Sequence, residues 1–189
     1  MKSKAKLFII SAPSGAGKTT LVKAALKRFP DLLYSVSYTT RPPRGVEKQG
    51  VDYFFVNKKE FIRNIEKERW AEWAEVYGNF YGTSSGFLDD NLGSGKNILL
   101  DLDIKGTLQI LKRYPDSITI FIMPPSLDIL RLRLESRGTD ESKEIEKRLL
   151  EAEKEMAKKD LYQHIIINDD LEISMNNLVS FMEQKMVVF

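Results

Sequence analysis

Leu7-Phe8-Ile9-Ile10-Ser11-Ala12-Pro13-Ser14-Gly15-Ala16-Gly17-Lys18-Thr19-Thr20 is an apolar run, a glycine-rich turn and the start of a periodic helical segment in immediate succession. From Ala12 to Thr19 it follows the phosphate-loop pattern, with Ala12 in place of the first glycine, and it lies between strand and helix, where such a loop must lie. Small residues let successive backbone N–H groups curl around a phosphate, and the helix N-terminus adds positive potential. Lys18 is then placed to bridge phosphates, and Thr19 offers a hydroxyl to Mg²⁺.

Outward from this stretch, short β-branched runs recur, most of them followed by helical periodicity: Leu7 to Ser11, Asn97 to Asp103, Ser117 to Met123 and His164 to Asn168. That alternation predicts an α/β fold, a parallel sheet flanked by helices. Helices are expected from Lys18 to before Pro30, from Lys105 to near Pro115, after Ser126, and from about Glu172 to Met186. Two stretches break the rhythm. Tyr34 to Gly86, rich in Tyr, Thr, Arg, Pro and Gly, is expected to be an inserted subdomain with a strand at Val51 to Val56 and a helix near Glu60 to Arg69. Ser136 to Lys159 is highly charged at helical spacings, as a solvated helical hairpin would be.

Composition narrows the chemistry. The 189 residues include 29 Lys+Arg against 27 Asp+Glu, a net charge of only +2, which argues against binding nucleic acid or a membrane surface by bulk charge. With no Cys and one His, thiolate chemistry and histidine-rich metal sites are excluded, so any metal must sit on oxygen. The apolar runs are far shorter than a membrane span needs, and the basic Met1 to Lys6 start precedes too few apolar residues for a signal-peptide core. A cytoplasmic location is the expectation.

Further candidate residues follow from spacing. In Ile98-Leu99-Leu100-Asp101-Leu102-Asp103 the two carboxylates share a face at the carboxyl end of a strand, where open α/β sheets bind ligands; Asp101 is a candidate for the second shell of a magnesium ion. In Arg41-Pro42-Pro43-Arg44 the extended Pro-Pro unit aims residues three apart the same way, roughly 9 Å apart. Two guanidinium forks then suit one phosphomonoester. Tyr53 and Tyr81 add phenolic donors; Ser37, Glu72 and Thr83 form a base-reading set. Trp70, Trp73 and Tyr77 are expected to be subdomain core. Arg133 and Arg137 share a helical face, and Arg148 follows in the next helix.

Taken together, Ser11 to Thr20, Val36 to Arg44, Asp52 to Val56, Glu72 to Thr83, Leu100 to Asp103, Arg137-Gly138-Thr139 and Ile167 to Asp170 resemble the guanylate kinase family, in its bacterial-type members, from Leu7 to about Val179. The resemblance implies a single domain: a core of residues 1–34, 84–127 and 160–189, a GMP-binding insertion of residues 35–83 and a lid of residues 128–159. It implies Mg²⁺-dependent transfer of the ATP γ-phosphoryl group to GMP, giving GDP and ADP, with dGMP as a further acceptor. By the same resemblance Lys18, Arg133, Arg137 and Arg148 are catalytic. Ala12, Pro13, Ser14, Gly15, Ala16, Gly17, Lys18, Thr19, Thr20 and Asn168 bind ATP, with Asn168 on the adenine side. Arg41, Arg44, Tyr53 and Tyr81 hold the GMP phosphate, and Ser37, Glu72, Thr83 and Asp103 read guanine. Lys105 stands where the family pattern has Gln. His164 is expected to be structural. The alternatives are a non-catalytic guanylate kinase-like binding module, a P-loop kinase with another small acceptor, or a GTPase; for the last, Asn57-Lys58-Lys59-Glu60 is only a near miss to the guanine-reading motif.

Overall fold

The computed structural model describes residues 5–136, 138 and 141–186. In chain order the elements are β1 (Leu7–Ser11), α1 (Lys18–Arg28), β2 (Leu33–Tyr34), β3 (Tyr38–Thr39), β4 (Phe54–Phe55), α2 (Lys58–Glu66), β5 (Trp70–Val76), β6 (Asn79–Ser84), α3 (Ser85–Gly93), β7 (Ile98–Asp101), α4 (Ile104–Arg113), β8 (Ile118–Met123), α5 (Leu127–Ser136), α6 (Ser142–Met156), β9 (His164–Ile167) and α7 (Leu171–Met186). The parallel sheet has the strand order β2-β7-β1-β8-β9, as the alternation of apolar runs and helices requires. Contacts divide the chain into a first unit, residues 1–7 and 31–117, and a second, residues 8–30 and 118–189.

In the second unit, every residue of β1 is buried, and β8 pairs in parallel with both β1 and β9. Continuous apolar strands of this kind are what a sheet covered on both faces demands. Helices α5 and α6 pack through buried Leu130, Leu134, Ile145, Leu149 and Ala152, and Arg131 pairs with Glu146 across the hairpin. The charged stretch therefore carries an apolar seam that its composition hides. His164 stacks on Phe181, ring centroids 3.9 Å apart, in keeping with a structural role.

In the first unit, β2 pairs in parallel with β7, and β4-β3-β6-β5 form a separate four-stranded sheet. One face of that sheet is apolar: Phe61 of α2 packs with Trp70 and Phe80, joined by Tyr38, Val56 and Ile65. Asn57 begins α2 as its cap, accepting from the Glu60 N–H at 2.8 Å, so the near miss to a GTPase motif is a helix start.

Several boundaries differ from the sequence expectations. The strand foreseen at Val51 to Val56 is reduced to Phe54–Phe55, because Val51 and Asp52 close a turn onto Lys48. The strand toward Asp103 ends at Asp101, because the Asp103 side chain caps α4 by accepting from the Gly106 N–H at 2.7 Å. Trp70 is core, but Trp73 is part-exposed and Tyr77 is 84% exposed. Tyr77 and Gly78, with φ of 49° and 77°, are the two central residues of the β5–β6 hairpin. Such a loop needs positive φ at both positions to match the strand twist, which puts Tyr77 at the tip. No described helix is long and apolar enough to cross a membrane.

Candidate active site

The phosphate-loop residues of the second unit line an open pocket of about 390 Å³ with Ala12, Pro13, Ser14, Gly15, Gly17, Lys18, Thr19, Thr20 and Glu155 at its walls. The loop closes on itself where the Ala16 N–H donates to the Pro13 carbonyl at 3.0 Å. Gly17 then starts α1 at φ 96°, a conformation that costs glycine nothing, and it has no side chain with which to cap the helix. With no acidic residue in the first turn of α1, the positive helix end is left to an anion.

Asn168 lies outside strand β9, just beyond its last residue, with only 5% of its surface exposed. Its Nδ2 donates to the Ala16 carbonyl at 2.8 Å, and its own carbonyl accepts from Arg133 Nη2 at 2.8 Å. The carboxamide thus holds the loop backbone, a contact 152 residues apart in sequence that no local pattern reveals. Asn168 and Arg133 also line a neighbouring cavity with Gly15, Gly17, Thr20, Ser136, Asp169 and Leu171. On α6, Arg148 is half-buried; its Nη1 donates to Ser14 Oγ at 3.3 Å, and its Nε lies 3.8 Å from Glu144. Arg137 lies outside the described residues.

A Cβ at Gly17 would stand 2.2 Å from Asn168 Nδ2, and the backbone there is left-handed. Gly17→Ala must therefore displace the carboxamide and strain the loop, the strain alone costing about 1–3 kcal/mol. Steady-state kinetics should show turnover falling by about a hundredfold, since a misplacement of 1 Å carries that order of loss in rate. Unchanged turnover would mean that the loop conformation does not position the reacting phosphates.

The first unit carries the other candidate set. Strand alternation and the register Glu72↔Thr83 and Ala74↔Tyr81 place Glu72, Thr83 and Tyr81 on one face of the β5–β6 pair, opposite the face packed on Phe61. Ser37 immediately precedes β3, its carbonyl accepting from the Phe54 N–H at 2.9 Å. Glu72 is 6% exposed, and Thr83 Oγ1 donates to its Oε1 at 2.7 Å. Burial pushes the Glu72 carboxyl up to about 7, opposed by the Thr83 hydrogen bond and aided by the charge of Asp103. Gly106 makes room for both acids: a Cβ there would lie 3.2 Å from Glu72 Oε2 and 3.3 Å from Asp103 Oδ1.

Arg41 is 7% exposed, with its guanidinium 5.0 Å from the Tyr53 ring centre; the Tyr53 and Tyr81 rings are 6.0 Å apart. Arg44 is exposed. The two arginines of the Arg-Pro-Pro-Arg segment thus differ in burial. The reason is Glu47, which sequence reading passes over: its carboxylate binds Arg41 in a fork, at 2.7 and 2.6 Å, and accepts from the Arg44 N–H at 2.8 Å. Asp101 ends β7 in this unit, and Thr19 is exposed in the first turn of α1 in the other. Among the described residues, no three His, Cys, Asp or Glu side chains gather as a metal cage.

The comparisons with known proteins agree with one another. A family model described as Guanylate kinase matches residues 4–185. The Guanylate kinase of Wolbachia sp. subsp. Brugia malayi is 44% identical, over 98% of this chain and 95% of that protein. The Guanylate kinase of Carboxydothermus hydrogenoformans is 45% identical, over 93% of this chain and 86% of that protein. The crystal structure of guanylate kinase from Anaplasma phagocytophilum superposes with a TM-score of 0.77 at 31% identity, covering 100% of this chain and 89% of that one. A family model spanning nearly the whole chain, near-full-length relatives and a matching fold lead to one conclusion: the chain belongs to the guanylate kinase family.

Proposed function

We propose that this protein transfers the γ-phosphoryl group of ATP to GMP, giving GDP and ADP, with dGMP as a second acceptor. The observation that carries the reading is the buried Glu72 carboxylate, bonded to Thr83 on the same sheet face as Tyr81. A carboxylate there accepts from guanine N1–H and N2–H together, whereas adenine presents an acceptor at N1 and is repelled. Ser37 and Asp103 complete the base contacts, and Arg41, Arg44, Tyr53 and Tyr81 take the GMP phosphate.

On the donor side, Ala12 to Thr20 wrap the ATP phosphates, Lys18 bridges them, and Arg133, Arg137 and Arg148 meet the charge of the transferring group. Asn168 is assigned to the ATP side through its hold on the Ala16 carbonyl. The division into a core (1–34, 84–127 and 160–189), an acceptor-binding insertion (35–83) and a lid (128–159) belongs to the same reading. Closure of such a lid excludes water that would otherwise hydrolyse ATP.

Mg²⁺ fits the donor set. The Thr19 hydroxyl offers oxygen, the atom that this hard cation takes, and Mg²⁺ at nucleotide sites is held largely by phosphates and water with one or two protein oxygens; a second-shell place for Asp101 belongs to the same proposal. Held there, Mg²⁺ would supply positive charge to offset the charge developing on the transferring phosphoryl group. A cytoplasmic location suits an enzyme whose substrates are free nucleotides.

Glu72→Gln tests the acceptor. One of the two guanine donors then meets an NH₂ group, and loss of a hydrogen bond to a charged group costs roughly 1.5–3 kcal/mol, about 10- to 150-fold. The loss should fall on KM and kcat/KM for GMP, with KM for ATP nearly unchanged; an unchanged kcat/KM for GMP would mean that Glu72 does not read the base.

The same residue predicts a pH dependence. Its folded-state carboxyl is raised to about 7, so below that pH GMP must displace a proton to find a carboxylate. KM for GMP should fall as pH rises through about 7 and then level, while Glu72→Gln should keep only the part of that dependence set by the GMP phosphate, which titrates at about 6. The linkage to folding has the opposite sign. A raised carboxyl favours the folded state below its unfolded value of 4.5, and that contribution is lost as pH rises through about 7. Acceptor affinity and the stability of the empty protein should therefore move in opposite directions between those values.

A further inference from the structure

We propose that Glu47 is a positioning residue for the acceptor's phosphate: its carboxylate fixes the pose of the Arg41 guanidinium and the backbone of Arg44, so that both arginines are set for one phosphomonoester. The proposal rests on the GMP reading above. A guanidinium as buried as Arg41 must be paired. Glu47 pairs it in a fork, through Nη1 to Oε2 at 2.7 Å and Nη2 to Oε1 at 2.6 Å, while Nη1 also donates to the Pro42 carbonyl at 3.0 Å. Oε2 accepts in addition from the Arg44 N–H at 2.8 Å, and the Glu47 N–H returns to the Arg44 carbonyl at 3.1 Å. One carboxylate thereby ties a side chain and a backbone turn together.

A guanidinium has five N–H donors in a planar fork. Glu47 takes one hydrogen from each terminal nitrogen and Pro42 a second from Nη1, while the guanidinium carbon lies 5.0 Å from the Tyr53 ring centre and the Tyr81 ring 6.0 Å from that of Tyr53. A phosphate held by the same two tyrosines would lie beside this guanidinium. The carboxyl of Glu47 is pulled down to about 2 by its bonds to Arg41 and Arg44, so the pairing persists across the physiological range. Without it, the Arg41 stem regains rotational freedom and the Arg44 turn loses its closing bond, which are the costs that preorganisation removes.

Steady-state kinetics on wild type, Glu47→Gln and Glu47→Asp, with guanosine as a competitive inhibitor that lacks the phosphate, tests this. Both variants should raise KM for GMP, Glu47→Gln by about 10- to 100-fold. KM for ATP and the inhibition constant of guanosine should stay close to wild type, while the unfolding midpoint of Glu47→Gln should fall because the buried Arg41 guanidinium loses its paired charge. A lower KM for GMP would mean that Glu47 competes with the phosphate, and an unchanged one that it is a bystander. A parallel loss of guanosine binding would mean that it merely holds the subdomain together. Full activity of Glu47→Asp would show that charge and not placement matters. Each of these overturns the proposal. Wild-type protein that neither binds nor phosphorylates GMP would overturn the acceptor assignment itself, and this proposal with it.

Discussion

Lys18→Ala should lower kcat by about 10²–10³-fold or more, the loss recorded when one preorganised donor to developing charge is removed. Phosphoryl transfer asks the protein for positioning and cations more than for covalent chemistry, so loss of the ammonium should fall on the chemical step. The fold should be little affected. Lys18 is the first residue of α1, where alanine is a good helix former, and it is only half-buried. The check is a single-turnover measurement beside a thermal melt: near wild-type kcat would remove the phosphate loop from the chemistry, and a collapsed melt would make Lys18 a folding residue.

Arg148→Ala should lower kcat by about 10²–10³-fold while leaving KM for GMP within about twofold, because in the proposed reading this arginine acts on charge that exists mainly in the transition state. Its Nη1 already reaches Ser14 in the phosphate loop. Arg131 on α5 is the control, since it pairs with Glu146 on the surface of the same hairpin, an exposed pair of small energetic consequence. Arg131→Ala should keep kcat close to wild type. A loss confined to KM would move Arg148 to the binding set, and equal losses in both variants would show that the hairpin responds as a body. The resemblance puts Arg137 in the same class as Arg148.

The strand, loop and helix from Leu7 onward are legible in the sequence because the parts are contiguous: the apolar run Leu7 to Ser11, the small residues to Gly17 and the helix from Lys18 follow one another without interruption. The candidate residues of the insertion are legible as residue types but not as geometry. In Trp70-Ala71-Glu72-Trp73-Ala74-Glu75-Val76 an irregular register between Trp70 and Glu72 brings Trp70 and Trp73, three apart, to the same face, so period-two alternation does not announce β5. Tyr77 looks like core because it is aromatic, yet the hairpin needs positive φ there and leaves it exposed. Glu47 was invisible because its role depends on a loop folding back onto Arg41, six residues earlier, across two prolines. Asn168 stands out in the sequence only through the family resemblance, and the fold brings its amide to the Ala16 carbonyl.

The central claim is that ATP and a guanine monophosphate meet on this chain. The most direct measurement is ADP release from ATP and Mg²⁺ in a coupled assay, with GMP, dGMP, AMP, UMP and shikimate offered in turn as acceptor. Turnover should be fast with GMP, present with dGMP and at background with the other three. Background turnover with GMP, or turnover with AMP, UMP or shikimate matching that with GMP, would contradict the account.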